Sequence, residues 1–434
     1  MEFPLYQTLV YGVDSCFQGN LELECRLVSL FFFYASLFIG WRLIPRILHG
    51  LDGGTLLLTG SAVLASSYYL YWADAILIES LCLFLALSAS LVFSSILNGG
   101  ACVSKWLLLI VLSSLLALTK VTAYVGVFVP IYAVLFLSHI MQGNGATRVN
   151  LDLIVGTLCL IGINYFLLDW WVVSCDLIKL ENPLASVWAS ENLTKWNFGT
   201  IEQRLSGKNW VHYFKGLGHF NVFFWSVSAI VGIANSFMSP KLLSINLKLL
   251  CISFFGPLVF FNLYKVHTYY DIANNWALLM FYVVNFVFLT REFKSNRAWQ
   301  MFIQIVAVGM FVFFAGYRRF YYTGYEAKFC DRHLNKWSDL EEISGLAKPG
   351  VLVSFLEPAL NSVYAYHLDR KIIMFSSEVD NSLVSTVMDR NTQENVVGVI
   401  LHPDEFDNWD ILDSLTSSNG WLSEVNYGGY RLYH

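Results

Sequence analysis

The chain has 434 residues, 56% of them hydrophobic and only 14% charged, with a mean hydropathy of +0.53. Soluble proteins carry about a quarter charged residues, so this chain lacks the polar surface for the three soluble domains its length would suggest at roughly 150 residues each. The net charge of −5 with no basic stripe argues against nucleic acid as a partner, and the composition is that of a polytopic membrane protein.

Residues 1–26 read as part of an outer loop: Glu2-Phe3-Pro4-Leu5-Tyr6-Gln7 leads an amphipathic run to Leu23, with proline near a first helical turn. No charged and apolar leader of the cleavable kind opens the sequence. A membrane helix needs about 20 apolar residues. About ten runs approach that length: roughly 27–44, 55–71, 75–96, 105–119, 121–138, 151–169, 220–236, 248–263, 273–290 and 299–316. The fourth and fifth are short and meet at a polar break, Thr119-Lys120.

Orientation follows from the Lys/Arg bias of short loops. Arg42, Arg46, Lys105, Arg148, Lys241, Lys248, Arg291, Lys294 and Arg297 fall on one side, and Arg26, Lys120 and Lys265 on the other. With the basic side cytoplasmic, the outer face holds the turn Trp72-Ala73-Asp74, a loop over residues 170–219, the loop around His267 and the C-terminus. Cys82, Cys102, Cys159 and Cys251 fall in or beside apolar runs, where buried packing is expected. Cys16, Cys25, Cys175 and Cys330 lie outside them, and pairs such as Cys16 with Cys25 could bridge on an oxidising side, with no connectivity fixed by spacing. Asn192-Leu193-Thr194 is a glycosylation sequon, meaningful in a eukaryotic source.

Residues 330–434 have the composition of a small soluble domain. β-rich runs at 351–355, 371–375, 396–401 and 430–433 alternate with helix-like segments at 358–367, 381–390 and 409–417. That alternation predicts an α/β layer with a partly parallel sheet. No glycine-rich phosphate loop follows its first strand.

A transporter would carry paired ionisable groups at mid-membrane. Here they gather at the outer ends of helices. Asp74 at a helix start would ordinarily be an N-cap, and Glu79 lies five residues on, about 7.5 Å along a helix and on another face. A Lys, a His, three Tyr and an Asp crowd Tyr264-Lys265-Val266-His267-Thr268-Tyr269-Tyr270-Asp271, supplying donors at headgroup level, although tyrosine belts are ordinary there. Lys120 adds a positive charge, snorkelling being its plain alternative. Arg204, Lys208, His212, Lys215 and His219 interleave with Trp210, Tyr213 and Phe214, as in an interfacial basic helix.

At these residues the chain resembles the GT-C fold glycosyltransferases that use lipid-phosphate sugars, in their dolichyl-phosphate-mannose-protein-mannosyltransferase-like and aminoarabinose-transferase-like branch. Glu2-Phe3-Pro4-Leu5-Tyr6 resembles that family's E/H-x-P-L-Y piece, and Arg26-Leu27-Val28-Ser29 its R-L-x-S. Ala73-Asp74-Ala75-Ile76-Leu77 is similar to x-D-x-L-L, Leu118-Thr119-Lys120 to L-T-K, and His267-Thr268-Tyr269-Tyr270 to H-x-Y-Y. The motifs keep the family's order over residues 1 to about 320. The chain departs in beginning inside the proline motif, so the family's first transmembrane helix and first-loop catalytic Asp have no counterpart. Phe3 stands where the family has Lys, and Ile272-Ala273-Asn274-Asn275 where it has Pro.

The resemblance implies an α-helical GT-C-like bundle over residues 27–320 with an extracytoplasmic α/β domain, in a bacterial inner membrane. It implies an inverting glycosyltransferase moving a sugar from a polyprenyl-phosphate donor to a glycan, lipid or protein acceptor. Asp74 and Glu79 would be the acidic catalytic groups. Lys120, Arg204, Lys265, His267, Tyr269 and Tyr270 would hold the donor phosphate. A divalent metal ion is the one cofactor the resemblance brings in, with Glu2 and His219 as candidate ligands. The other readings are a lipid-linked glycan flippase, which would want polar groups inside the bundle, and a truncated non-catalytic homologue.

Overall fold

The computed structural model describes residues 3–292 except 18, 50, 74, 100–101, 143–150, 182, 187 and 217–221. It also describes 298, 301, 305 and 309, and 339–434 except 344, 357–367, 369–370, 376–380, 391–395, 403–405, 407–408, 420, 422–423 and 428–429. The chain divides into two compact units, residues 1–177 with 190–320, and residues 178–189 with 321–434.

The first unit is a helical bundle. Its elements are α1 (Leu5–Phe17), α2 (Leu21–Ile47), α3 (Gly53–Ala65), α4 (Ser67–Trp72), α5 (Glu79–Gly99) and α6 (Val103–Thr119). After a short turn and a π-helical stretch, Tyr124–Phe128, come α7 (Val129–Gln142) and α8 (Leu151–Leu180). Three short helices follow: α9 (Thr194–Phe198), α10 (Ile201–Leu205) and α11 (Gly207–Gly216). Then come α12 (Val222–Met238), α13 (Pro240–Val259), α14 (Phe261–Val266) and, after a 3-10 turn at Thr268–Ala273, α15 (Asn275–Glu292).

Among the described residues five helices are long and apolar enough to cross a membrane: Leu21–Ile47, Glu79–Gly99, Val121–Met141, Leu151–Leu180 and Pro240–Val259. The other expected spans that are described are shorter or broken. The run 55–71 is split at Ser66, whose extended backbone separates α3 from α4. The expected helix at 75–96 starts only at Glu79. The run 299–316 lies almost wholly outside the described residues. The expected outer loop begins later than residue 170, because α8 continues as helix to Leu180.

Helix α5 is the axis of the bundle: 67% of its apolar window is enclosed, against 17% for α8, which faces outward. Serine and asparagine side chains join the helices where apolar packing alone gives no direction. Ser114 donates to Asn164 (2.8 Å), and Asn164 donates to Ser113 (2.9 Å). Asn235, Asn246 and Asn285 form a buried triad across α12, α13 and α15, with amide contacts of 2.8–3.2 Å. At one end of the bundle the basic residues cap helix ends. Lys248 donates to the Ile47 carbonyl (3.1 Å), Arg46 to Ser95 (3.1 Å) and Arg291 to Asp52 (2.5 Å), itself the N-cap of α3.

Cys16 and Cys25 are both free, the first exposed and the second buried, so the suggested bridge is absent. Cys82 is buried as expected, but Cys102, Cys159 and Cys251 are exposed. Cys175 is buried within α8 rather than in a loop.

The second unit is the α/β layer the sequence predicts. Its strands are β1 (Val351–Phe355), β2 (Ile372–Met374), β3 (Val396–Leu401), β4 (Glu424–Tyr427) and β5 (Tyr430–Tyr433), in the order β2-β1-β3-β5-β4. β1 runs parallel to β2 and β3, while β5 is antiparallel to β3 and β4. Helices α16 (Asn381–Arg390) and α17 (Trp409–Asn419) stand at the expected places, and the segment 358–367 lies outside the described residues. Val353, Phe355, Val399 and Leu401 pack with both helices on one face, and Leu352, Ile400 and Leu432 pack with Leu340 and Ile343 on the other. Two-faced burial explains why every position of β1 is buried and four of its five residues are apolar.

Candidate functional site

The site is built at the end of the bundle opposite the basic caps, by the hairpin of α5 and α6. Glu79 sits in the first turn of α5 and Lys120 at the C-cap of α6. The antiparallel pair brings these ends together, and each charge complements the helix dipole at its own terminus. The Lys120 ammonium donates to Glu79 Oε1. Both residues are buried, Glu79 at 3% and Lys120 at 7% exposure. Lys120 itself has an extended backbone, which is the break visible in the sequence.

The 3-10 turn supplies a roof of tyrosines. The Lys120 ammonium lies 3.9 Å from the Tyr270 ring centre and 5.4 Å from that of Tyr269. A cation over an aromatic face gains about 0.5–2 kcal/mol depending on desolvation. His267 completes the cluster, its ring 5.3 Å from Tyr269, 5.9 Å from Tyr270 and 6.3 Å from Trp196. Burial, and then the Lys120 charge, hold the His267 imidazole below its ordinary value, so its neutral form is favoured.

The N-terminal segment closes the other side. Phe3 N–H donates to the Leu118 carbonyl (3.2 Å), and the Tyr6 hydroxyl bonds to Cys25 O (2.8 Å) and Ser29 Oγ (2.9 Å). One face of α1, from Tyr6 through Val10 to Asp14, thereby lines a cavity of about 570 Å³ with Glu79, Lys120, Tyr269 and Tyr270 at its head. Asp14 is a carboxylate the sequence reasoning passed over; its signal was the i, i+4, i+8 register with Tyr6.

A second buried carboxylate, Asp271, accepts a hydrogen bond from Tyr213 of α11 (2.8 Å), while its Oδ2 has no hydrogen-bond partner among the described residues. Burial pushes its pKa well up. Behind the turn, Tyr264 donates to Asn274 (3.0 Å), and Asn274 donates to the carbonyls of Gly126 and Ile252 (both 2.9 Å). Pro130, four residues on, has no N–H for the Gly126 carbonyl and so leaves it open to this bond, and Gly126 and Gly256 leave room for the Tyr264 hydroxyl: a Cβ on either would stand 2.8 or 2.5 Å from it.

Of the expected phosphate-binding residues, Lys120, Tyr269 and Tyr270 line one cavity with Glu79, and His267 adjoins them. Arg204 is engaged elsewhere. Its guanidinium donates to the carbonyls of Phe198 (2.8 Å) and Val259 (3.1 Å), clamping the α9–α10 corner to the end of α13. Lys265 is half-buried on α14 and is not part of the cavity lining. Asp74, Glu2 and His219 lie outside the described residues. Among the described residues no group of three or more His, Cys, Asp or Glu is arranged to hold a metal ion.

No family model matches the sequence, and no curated protein matches it in sequence. Its fold, however, is found in solved structures. ArnT from Cupriavidus metallidurans bound to undecaprenyl phosphate superposes with a TM-score of 0.54 at 12% identity, covering 100% of this chain and 87% of that one. The apo state of the same protein gives 0.51 at the same identity and coverage. The chain is an integral membrane protein whose bundle has the GT-C fold of ArnT.

Proposed function

We propose that the protein is an inverting glycosyltransferase that takes a sugar from a polyprenyl-phosphate donor at the extracytoplasmic face of a bacterial inner membrane. The observation that carries this reading is the buried Glu79–Lys120 pair beneath Tyr269 and Tyr270 at the head of a 570 Å³ cavity. The fold shared with ArnT, one structure of which is bound to undecaprenyl phosphate, supports the donor class. The segregation of basic helix caps to the other end of the bundle supports the orientation.

In this reading the donor phosphate enters beneath the tyrosines and draws the Lys120 ammonium toward itself, with a neutral His267 as an added N–H donor. Glu79, relieved of its partner, becomes a buried carboxylate able to accept a proton. The acceptor hydroxyl oxygen bonds to the anomeric carbon as the bond from that carbon to the phosphate oxygen breaks. The electron pair leaves on the phosphate, stabilised by Lys120, and the hydroxyl proton passes to Glu79. Asp74, five residues before Glu79 in the sequence, is assigned as a second acidic group. The α/β unit is assigned to the acceptor side, for a glycan, lipid or protein.

The test is release of undecaprenyl phosphate from a panel of undecaprenyl-phosphate sugars in proteoliposomes. Lys120→Ala and Glu79→Gln each lower release by about a hundredfold or more. Release at the unmodified rate in both variants would remove the site. Transbilayer movement of the intact lipid without release would instead make the protein a flippase.

A further inference from the structure

Three helices of the first unit bring cations together at the end of the bundle away from Glu79. Arg46, in the last turn of α2, donates to the Ser95 hydroxyl of α5 (3.1 Å). The Lys105 ammonium, in the first turn of α6, lies 3.4 Å from the Ser95 carbonyl oxygen. Two positive side chains from two helices therefore meet at one residue of a third. Arg42, one turn before Arg46 and so on the same face of α2, adds a further charge, its guanidinium 5.4 Å from the Phe38 ring centre.

The helices that carry these groups supply no counter-charge here. The acids of α2 and α5 are Glu22, Glu24 and Glu79, all at the opposite ends of those helices, and α6 has none. α7, which packs on α2 and α5, has no acid either and carries His139 in its last turn. Asp52, at the same end of the bundle, is taken by Arg291 and by its own cap. A guanidinium presents a fork of donors that matches phosphate oxygens, and among the described residues the Arg46 fork meets Ser95 alone. Ser95 is fixed in turn, its hydroxyl donating to the Leu91 carbonyl (3.0 Å), so it orients Arg46. Beside the cations Trp41, Phe38 and Val103 are 46%, 61% and 76% exposed, which places them at the lipid boundary.

We infer that Arg46 and Lys105, with Arg46 positioned by Ser95, bind the phosphate of an anionic glycerophospholipid in the leaflet at the basic end of the bundle. Basic pockets between helix ends hold acidic headgroups in this way. The choice of a phospholipid over a soluble anion rests on the exposed apolar side chains beside the cations, which a ligand with an apolar part of its own covers. The site lies at the other end of the bundle from the proposed reaction and stands or falls without it.

Native mass spectrometry of the full chain in detergent, with phosphatidylglycerol or phosphatidylcholine added, tests the site. The unmodified protein retains phosphatidylglycerol in preference to phosphatidylcholine. Arg46→Gln and Lys105→Gln each weaken that binding about fivefold, and the double variant about twenty-fivefold. If Arg46→Gln does not fold, Lys105→Gln, on a partly exposed side chain, carries the same reading. Lys248→Gln removes the same charge at the same end, but from a lysine already bonded to the Ile47 carbonyl, and leaves binding unchanged. An equal loss in Lys248→Gln, or equal retention of phosphatidylcholine, overturns the site in favour of a general attraction to the basic end. Displacement of the phospholipid by an equal concentration of glycerol phosphate overturns the lipid assignment.

Discussion

Glu79 and Lys120, 41 positions apart, meet as a buried ion pair because a helical hairpin returns the chain to the end where it began. Removing one partner of such a pair strands the other charge, at a cost of about 3–5 kcal/mol, whereas replacing both with apolar groups is often neutral. Lys120→Ala should therefore melt well below the unmodified protein, and Glu79→Leu with Lys120→Met should recover most of that loss. The double variant should still fail to bind undecaprenyl phosphate. Thermal unfolding in detergent beside lipid binding checks both halves.

His267 gives the fold a pH dependence. Its imidazole, ordinarily titrating at 6.5, is held lower by burial and by Lys120. Above 6.5 both folded and unfolded rings are neutral and nothing is lost. As pH falls below 6.5 the unfolded chain takes up the proton first, so stability declines until the folded value is passed. Melting temperature should drop between pH 7.5 and 5.5, and His267→Phe should remove part of that drop. His49, shifted the same way by burial and Lys248, accounts for a further part.

The Gly126–Gly256 crossing has no spare room. Gly256→Ala would put a methyl group 2.5 Å from the Tyr264 hydroxyl and 2.8 Å from its ring carbon. Overpacking of this kind costs about 1–3 kcal/mol. Because Tyr264 holds Asn274 behind the tyrosine turn, donor binding should weaken along with stability. Tyr264→Phe in the same chain removes the 2.5 Å contact but keeps the ring carbon at 2.8 Å and leaves Asn274 short of one donor, so it should recover only part of the loss.

Asp52 does two things at the basic end: it caps α3 through Thr55 N–H (3.0 Å) and pairs with Arg291. Both hold its carboxyl well below the usual range, Arg291 foremost. The pair is 43–59% exposed, so solvent screens its contribution to stability and the cap is the part that counts there. Asp52→Ala should cost about 1 kcal/mol. That contribution is present above the ordinary value of 3.8 and fades as pH falls below it, so variant and parent should converge in acid melts.

The membrane class, most helices and the α/β unit were legible in the sequence, because apolar runs and strand-helix alternation are local patterns. The break at Lys120 was equally local. The partner of Glu79 was not, since spacing along one helix cannot reveal a residue on the next. Arg204 looked like a phosphate ligand because its charge is visible in sequence, whereas the Phe198 and Val259 carbonyls that occupy it are backbone groups with no residue signature. The split at Ser66 escaped notice because the flanking residues are uniformly apolar. Asp14 was missed because an amphipathic helix reads the same whether its inner face meets a cavity or a packed neighbour.

The interrupted segment α3–α4 has a consequence for biosynthesis. Its 13-residue and 6-residue pieces are each too short to cross a bilayer. The hydroxyls of Tyr68 and Tyr69 anchor it to the carbonyls of Thr268 and Ile272, which emerge from the ribosome 200 and 203 residues later. At roughly 5–20 residues per second, the nascent segment waits about 10–40 s for its anchors, so this part of the bundle is assembled out of chain order.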